Sequence, residues 1–164
     1  MRTKALEHDS MEHVLVLLTR PNELACRVAL AHGLRIGDVL NLRRWQVEQG
    51  SVTIREQKTG KRRRLRWSEL QRRQLLALAG DVYVFEHRTD PTKHRTRQAV
   101  WKDIHRASKA LRFNGSIGTH SMRKTFSVRK YAACGDMRKV KALLNHSDET
   151  VTMLYALAEY AERR

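Results

Sequence analysis

The chain is 164 residues long and carries 33 Lys and Arg against 17 Asp and Glu, giving a formal charge of +16 and a pI near 10.7. That length predicts one domain with a hydrophobic core of its own, and that charge predicts a polyanionic partner, nucleic acid being the commonest. With 41% hydrophobic and 30% charged residues the composition excludes a disordered chain, no apolar run of about 18 residues spans a membrane, and the N-terminal MRTKALEHDS has no hydrophobic stretch of signal-peptide type.

The first predicted element is a helix over Met11 to Thr19, and Pro21 either ends it or opens the next one. In Pro21 to His32, Leu24, Val28 and Ala31 recur at helical spacing and Gly33 fits a C-cap. Cys26 lies in this helix, and Cys134 in a later one. Both are expected to be small buried hydrophobes of a reducing cytoplasm, since two thiols make neither a disulfide framework nor a four-cysteine zinc site. A short helix from Ile36 to Leu42 follows, with Val39, Leu40 and Leu42 as its apolar set. Ser51 to Gln57 is β-branched and alternating and predicts a strand. Lys58-Thr59-Gly60 predicts a turn, and Lys61 to Trp67 a second, strongly basic strand. A short strand at Trp45 to Val47 would complete a three-stranded antiparallel sheet.

Ser68 predicts the N-cap of a helix through Leu70, Leu75, Leu78 and Ala79. Gly80 and Asp81 break it, and Val82 to Phe85 leads into a polar loop over His87 to Arg97. Gln98 to Leu111 is amphipathic, with Val100, Ile104, Ala107 and Leu111 on one face. Helices over Thr119 to Cys134, Met137 to Leu144 and Asp148 to Ala161 complete the chain. The predicted fold is mainly α, in the α+β sense, with one small antiparallel sheet.

Four segments carry residues suited to phosphate chemistry. In Thr119-His120-Ser-Met-Arg123-Lys124, helical spacing puts His120 and Arg123 on one face, while Met122 and Phe126 anchor the other. A guanidinium binds two non-bridging oxygens at once, and an imidazole moves a proton near neutral pH. His146 stands at a junction between two helices. Tyr155, nine residues later, has Val151 and Ala158 at helical spacing, so periodicity alone reads it as a core aromatic. Arg35 in Gly33-Leu-Arg35-Ile-Gly37-Asp38 enters an apolar helix, where it can pair with Asp38 or hold an anion. Lys58 sits on a hairpin turn, read either as a solvated lysine or as a proton donor to a DNA backbone.

Together GLRIGDVLNL, EQKTGKRRR, THSMRKTF and LLNHSDETVTMLY resemble, in order and spacing from about Leu24 to Tyr155, the catalytic domain of the tyrosine recombinase (phage integrase) family. The resemblance implies that Arg35 and Arg123 clamp the scissile phosphate and that His120 assists proton transfer. It implies that Lys58 protonates the departing 5′ oxygen, that His146 holds a phosphate oxygen, and that Tyr155 is the nucleophile forming a 3′-phosphotyrosyl link. Lys61, Arg62, Arg63, Arg64 and Lys124 are expected to contact DNA. No metal or cofactor is implied, because two arginines and a lysine supply the positive charge; HExxH and Cys/His ligand spacings are absent from the sequence.

The family's usual glycine before the histidine is Asn145 here, and Lys124 stands where a second histidine is common. Residues 1–164 are expected to form one catalytic domain, the helical core-binding domain that normally precedes it being absent from this sequence. The partners implied are double-stranded DNA, three further copies of the chain in a homotetramer on DNA, and an accessory DNA-bending protein. The function implied is site-specific recombination in the cytoplasm, integrating or excising a mobile element such as a phage. Two alternatives share the scaffold: a DNA-binding module without chemistry, and a type IB topoisomerase-like enzyme. His8, His13, His32, His87, His94 and His105 are read as surface or packing residues, and Tyr160 is wrongly spaced from His146 to replace Tyr155.

Overall fold

Helix α2 (Arg20–His32) is the central element of the computed structural model, which describes residues 8–113 and 116–144. Pro21 sits in its first turn, where the missing N–H costs nothing, and its inner face buries Leu24, Ala25, Cys26, Val28, Ala29 and Leu30. Around it pack α1 (His8–Val16), α3 (Ile36–Leu40), α5 (Glu69–Leu78), α6 (Arg97–Ala110) and α7 (Thr119–Cys134). One continuous core joins Met11, Val14 and Leu15 of α1 to Leu24 and Val28 of α2, Leu40 of α3, Leu75 of α5 and Ile104 of α6. A smaller cluster of Phe126, Val140 and Leu144 seats α8 (Met137–Leu143) against α7. Among the described residues, no helix is long and apolar enough to cross a membrane.

Gly33 ends α2 in the left-handed region, at φ 63°. A Cβ there would also lie 2.5 Å from the Phe126 ring, so α7 approaches α2 closely only because this residue has no side chain. The chain then turns through Leu34 and Arg35 into α3.

The sheet has two strands, β1 (Ser51–Arg55) and β2 (Arg62–Arg66), paired antiparallel from Ser51 opposite Arg66 to Arg55 opposite Arg62. Val52, Ile54 and Leu65 face the core, while Arg62, Arg64 and Arg66 face solvent. The expected third strand at Trp45 to Val47 is instead helical, within α4 (Arg44–Glu48). Two side chains decide this. The Gln46 side-chain oxygen caps the Arg43 backbone N–H at 2.8 Å, and the Trp67 indole donates to the Gln46 carbonyl at 3.0 Å. Just before α4, Arg43 forms an isolated antiparallel bridge with Tyr83, which is not part of the β1–β2 ladder.

The later helices lie at or within two residues of their predicted positions, with α7 running from Thr119 to Cys134 as its glycine boundaries imply. By contrast, α1 runs three residues earlier at each end than the expected Met11 to Thr19, the chain leaving the helix so that Thr19 reaches Asp103. Ser68 caps α5 by accepting from the Gln71 N–H, and Thr96 caps α6 by accepting from the Ala99 N–H. Three apolar expectations are overturned. Leu70 is exposed in the first turn of α5, Leu111 is partly exposed at the end of α6, and Cys134 is exposed at the end of α7, whereas Cys26 is fully buried. The predicted helix over Asp148 to Ala161 lies outside the described residues.

Asp103 of α6 ties that helix to the start of α2. Its Oδ2 accepts from the Thr19 N–H and hydroxyl, each at 2.8 Å, and from the Asn22 amide at 2.7 Å, while Arg106 binds Oδ1. Burial raises its pKa, but these donors outweigh burial and bring it down to about 2.

Candidate active site

Four separate segments meet at one open cleft of about 630 Å³: the α2–α3 junction, the β1–β2 turn, the start of α6 and the start of α7. Arg35, Lys58, His120 and Arg123 all line it, so four of the six residues implied as catalytic come together. His146 and Tyr155 lie outside the described residues, as does Asn145.

Arg123 is held most rigidly. It is buried, and its guanidinium donates to the carbonyl of Gly33 and to that of Leu144, each at 2.7 Å. The predicted shared face of His120 and Arg123 is realised, since both reach the cleft from the first turns of α7 while Met122 and Phe126 pack inward. His120 itself is exposed at the rim. Ser121 caps this end of α7 by accepting from the Gly118 N–H.

Arg35 occupies the N-cap position of α3, and its Nη1 donates to Glu56 Oε2 at 2.9 Å. Lys58 is exposed at the hairpin turn and lines the same cleft as Arg35. Asp38 does not pair with Arg35 through any short bond. Its Oδ1 accepts from the backbone N–H of Gln57 at 2.8 Å, so α3 grips the hairpin one residue before Lys58. Asp38 Oδ2 is buried with no hydrogen-bond partner among the described residues. Burial raises the Asp38 pKa, the Glu56 charge adds to the rise, and the Gln57 N–H with the two cleft arginines partly opposes it.

Other residues enter that sequence reasoning passed over. Arg97, the first residue of α6, adds a further cation to the cleft, and His94 lines it although it is read above as surface or packing. His94 packs edge-on against Tyr83, at 5.4 Å between ring centres, with the Arg43 guanidinium 4.0 Å over the same ring. Glu56 is the largest omission: a fully buried carboxylate directly behind the cleft, joined to both Arg35 and Arg63. A charged residue on the inward-facing position of a strand was the available signal.

The basic run divides. Lys61, Arg62 and Arg64 are exposed, whereas the Arg63 guanidinium turns inward to Glu56 and to the His32 carbonyl. Arg62 and Arg64 border a second concavity with His32, Phe126 and Lys130, apart from the cleft. Lys124 is half-buried on α7 and is not among the residues lining the cleft.

The sequence matches the model of the phage integrase family over residues 4–162. It is 29% identical over 126 residues to a probable integrase/recombinase YoeC of Bacillus subtilis (strain 168), covering 74% of this chain and 69% of that protein. It is 32% identical over 60 residues to the tyrosine recombinase XerD of Lacticaseibacillus casei, but this covers only 37% of the chain and 20% of that protein. Among solved structures, XerA recombinase superposes with a TM-score of 0.71 at 19% identity, over 98% of this chain and 63% of that one. A lambda integrase dimer bound to a COC′ core site gives 0.73 at 20%, over 95% and 48%. The catalytic domain of bacteriophage HP1 integrase gives 0.68 at 22%, over 94% and 87%. At these identities the superpositions establish the fold, and the chain spans about two thirds of the XerA chain and about half of the lambda integrase chain. From its sequence and its fold, the chain belongs to the phage integrase family of tyrosine recombinases.

Proposed function

We propose that this chain is the catalytic part of a site-specific recombinase that cuts and rejoins DNA through a 3′-phosphotyrosyl intermediate. The observation that carries this is the convergence of Arg35, Lys58, His120 and Arg123, from segments far apart in sequence, on one positively charged cleft. Two guanidiniums suit the non-bridging oxygens of a phosphodiester, and they stabilise the extra negative charge of a pentacoordinate transition state. Lys58, on an exposed turn, suits proton delivery to a 5′ oxygen, and His120 at the rim suits proton transfer.

In this reading Tyr155 passes its hydroxyl proton to His120 as its oxygen attacks phosphorus, the bond from phosphorus to the 5′ oxygen breaks, and Lys58 gives that oxygen its proton. The phosphodiester is conserved as a phosphotyrosine, so a 5′-hydroxyl can attack it in turn, restoring DNA and freeing Tyr155 without ATP. A free tyrosine titrates near pH ~10, so the surrounding cations favour the developing phenolate. Leu144, whose carbonyl Arg123 binds, stands two residues before His146 and eleven before Tyr155, well within chain reach of the cleft.

Acting on two duplexes requires four copies of the chain, and we place this homotetramer on DNA in the cytoplasm. An accessory DNA-bending protein would help to assemble it. Integration or excision of a mobile element is the process that such chemistry serves. Lys61, Arg62, Arg64 and Lys124 are assigned to phosphate contacts. Arg63, facing inward, is assigned to holding the hairpin.

Covalent trapping on nicked, random-centre duplexes tests this reading. Diffusion of the short 5′-hydroxyl strand should leave an SDS-resistant adduct with the wild-type chain and none with Tyr155→Phe. Salt-sensitive binding without any adduct would support the binding-module alternative instead.

A further inference from the structure

Glu56 sits at the end of β1, where the chain begins the turn that carries Lys58. Its carboxylate is fully buried, which is costly for a charge unless partners surround it. Arg35, Thr59 and Arg63 are among those partners. Oε2 accepts from Arg35 Nη1 at 2.9 Å and from the Thr59 hydroxyl at 3.0 Å, and Oε1 accepts from Arg63 Nη1 at 3.3 Å. The backbone completes the frame: the Glu56 N–H donates to the Lys61 carbonyl at 3.0 Å, and the Gly60 N–H donates to the Glu56 carbonyl at 2.8 Å.

One carboxylate therefore touches a cleft arginine and the residue next to the cleft lysine. Arg35 and Thr59 share a single oxygen, so a shift of the turn and a shift of the guanidinium are mechanically linked. Glu56 shares its one charge between two arginines, so it orients Arg35 without fully neutralising it. Arg63, anchored also on the His32 carbonyl, fixes Glu56 from the side away from the cleft.

We infer that Glu56 is the positioning residue of the site: through one carboxylate it aims Arg35 at the phosphate and, through Thr59, sets the turn that presents Lys58 to the leaving oxygen. The inference rests on the cleavage reading above. Glu56 touches no substrate; it acts through Arg35 and Lys58.

The test uses the full chain on nicked duplexes recovered by trapping, made in two forms. One has the normal 5′ leaving oxygen, and in the other sulfur replaces that oxygen. A thiolate departs without needing a proton, so a misplaced Lys58 costs rate only on the oxygen form. Glu56→Gln keeps the size and one acceptor but removes the charge. It is expected to slow adduct formation about 10- to 100-fold on the oxygen form and to regain most of that on sulfur, the remainder reflecting Arg35. Thr59→Val cuts only the arm to the turn, so its smaller loss should vanish on sulfur. Arg35→Ala should regain nothing.

Equal losses on both forms for Glu56→Gln and Thr59→Val, or wild-type rates for both on oxygen, would overturn the inference. Should Glu56→Gln fail to fold, Thr59→Val decides by the same criterion. A wild-type chain that cleaves neither form would overturn the cleavage reading and this inference together. Wild-type cleavage with no sulfur-specific recovery in the variants would overturn this inference alone.

Discussion

At Gly33 two separate demands fall on one residue: a left-handed backbone and a Phe126 ring where a side chain would begin. Its carbonyl is also one of the two that hold Arg123, so the αL cap of α2 and the geometry of the cleft are a single feature. Gly33→Ala is expected to cost roughly 2–4 kcal/mol, backbone strain and overpacking together, as read by urea unfolding. Gly50, at φ 70° with nothing within 4 Å of its would-be Cβ, isolates the strain contribution. Gly50→Ala should cost only about 1 kcal/mol. Equal losses at the two positions would mean that the Phe126 contact contributes nothing.

At the scale of elements, Asp103 fastens α6 to the segment entering α2. Its pKa falls from an ordinary 3.8 to about 2 on folding, so the folded state binds its proton less tightly than the unfolded state. The stabilisation, roughly 2–3 kcal/mol, is therefore complete above about pH 4 and is lost as pH falls from 3.8 towards 2. Asp103→Asn places an amide among donors and should remove this contribution at neutral pH while flattening the acid limb of the stability curve. Thermal melts across pH 2–7 check this, about 2 being the folded-state pKa. An unchanged acid limb in the variant would contradict it.

The same scale shows which elements were legible. Helix α7 has glycines at both boundaries, and α2 has Pro21 and Gly33, so local chemistry alone sets their ends. The segment at Trp45 to Val47 is only three residues, too short for periodicity to separate strand from helix. Its outcome depends on the Trp67 indole, which is distant in sequence. The HxxR spacing made His120 and Arg123 readable as neighbours, because helical geometry is local. For Glu56 local alternation offered only its inward direction, in phase with Val52 and Ile54; its partners Arg35 and Arg63 approach from two other elements, so the ion pairs that permit its burial were not readable locally. Cys134 failed for a related reason, since an apolar-looking helix end still presents one face to solvent.

For the whole molecule, a charge of +16 and a cleft bordered by four cations predict that DNA binding is dominated by release of counterions. If about six phosphates are engaged, affinity should fall roughly a thousandfold between about 50 and 200 mM salt. Fluorescence anisotropy on a labelled duplex measures this, and a flat response would contradict the electrostatic account.

The central claim is that the cleft lined by Arg35, Lys58, His120 and Arg123 serves a tyrosine that attacks DNA, and mapping the DNA-linked peptide tests it most directly. The adduct formed on nicked duplexes would be digested and fragmented by mass spectrometry. The account predicts phosphorus on Tyr155 in the wild-type adduct, and no adduct from Arg123→Ala under the same conditions. Phosphorus on Tyr160 or on any other side chain, or an undiminished adduct without Arg123, would contradict it.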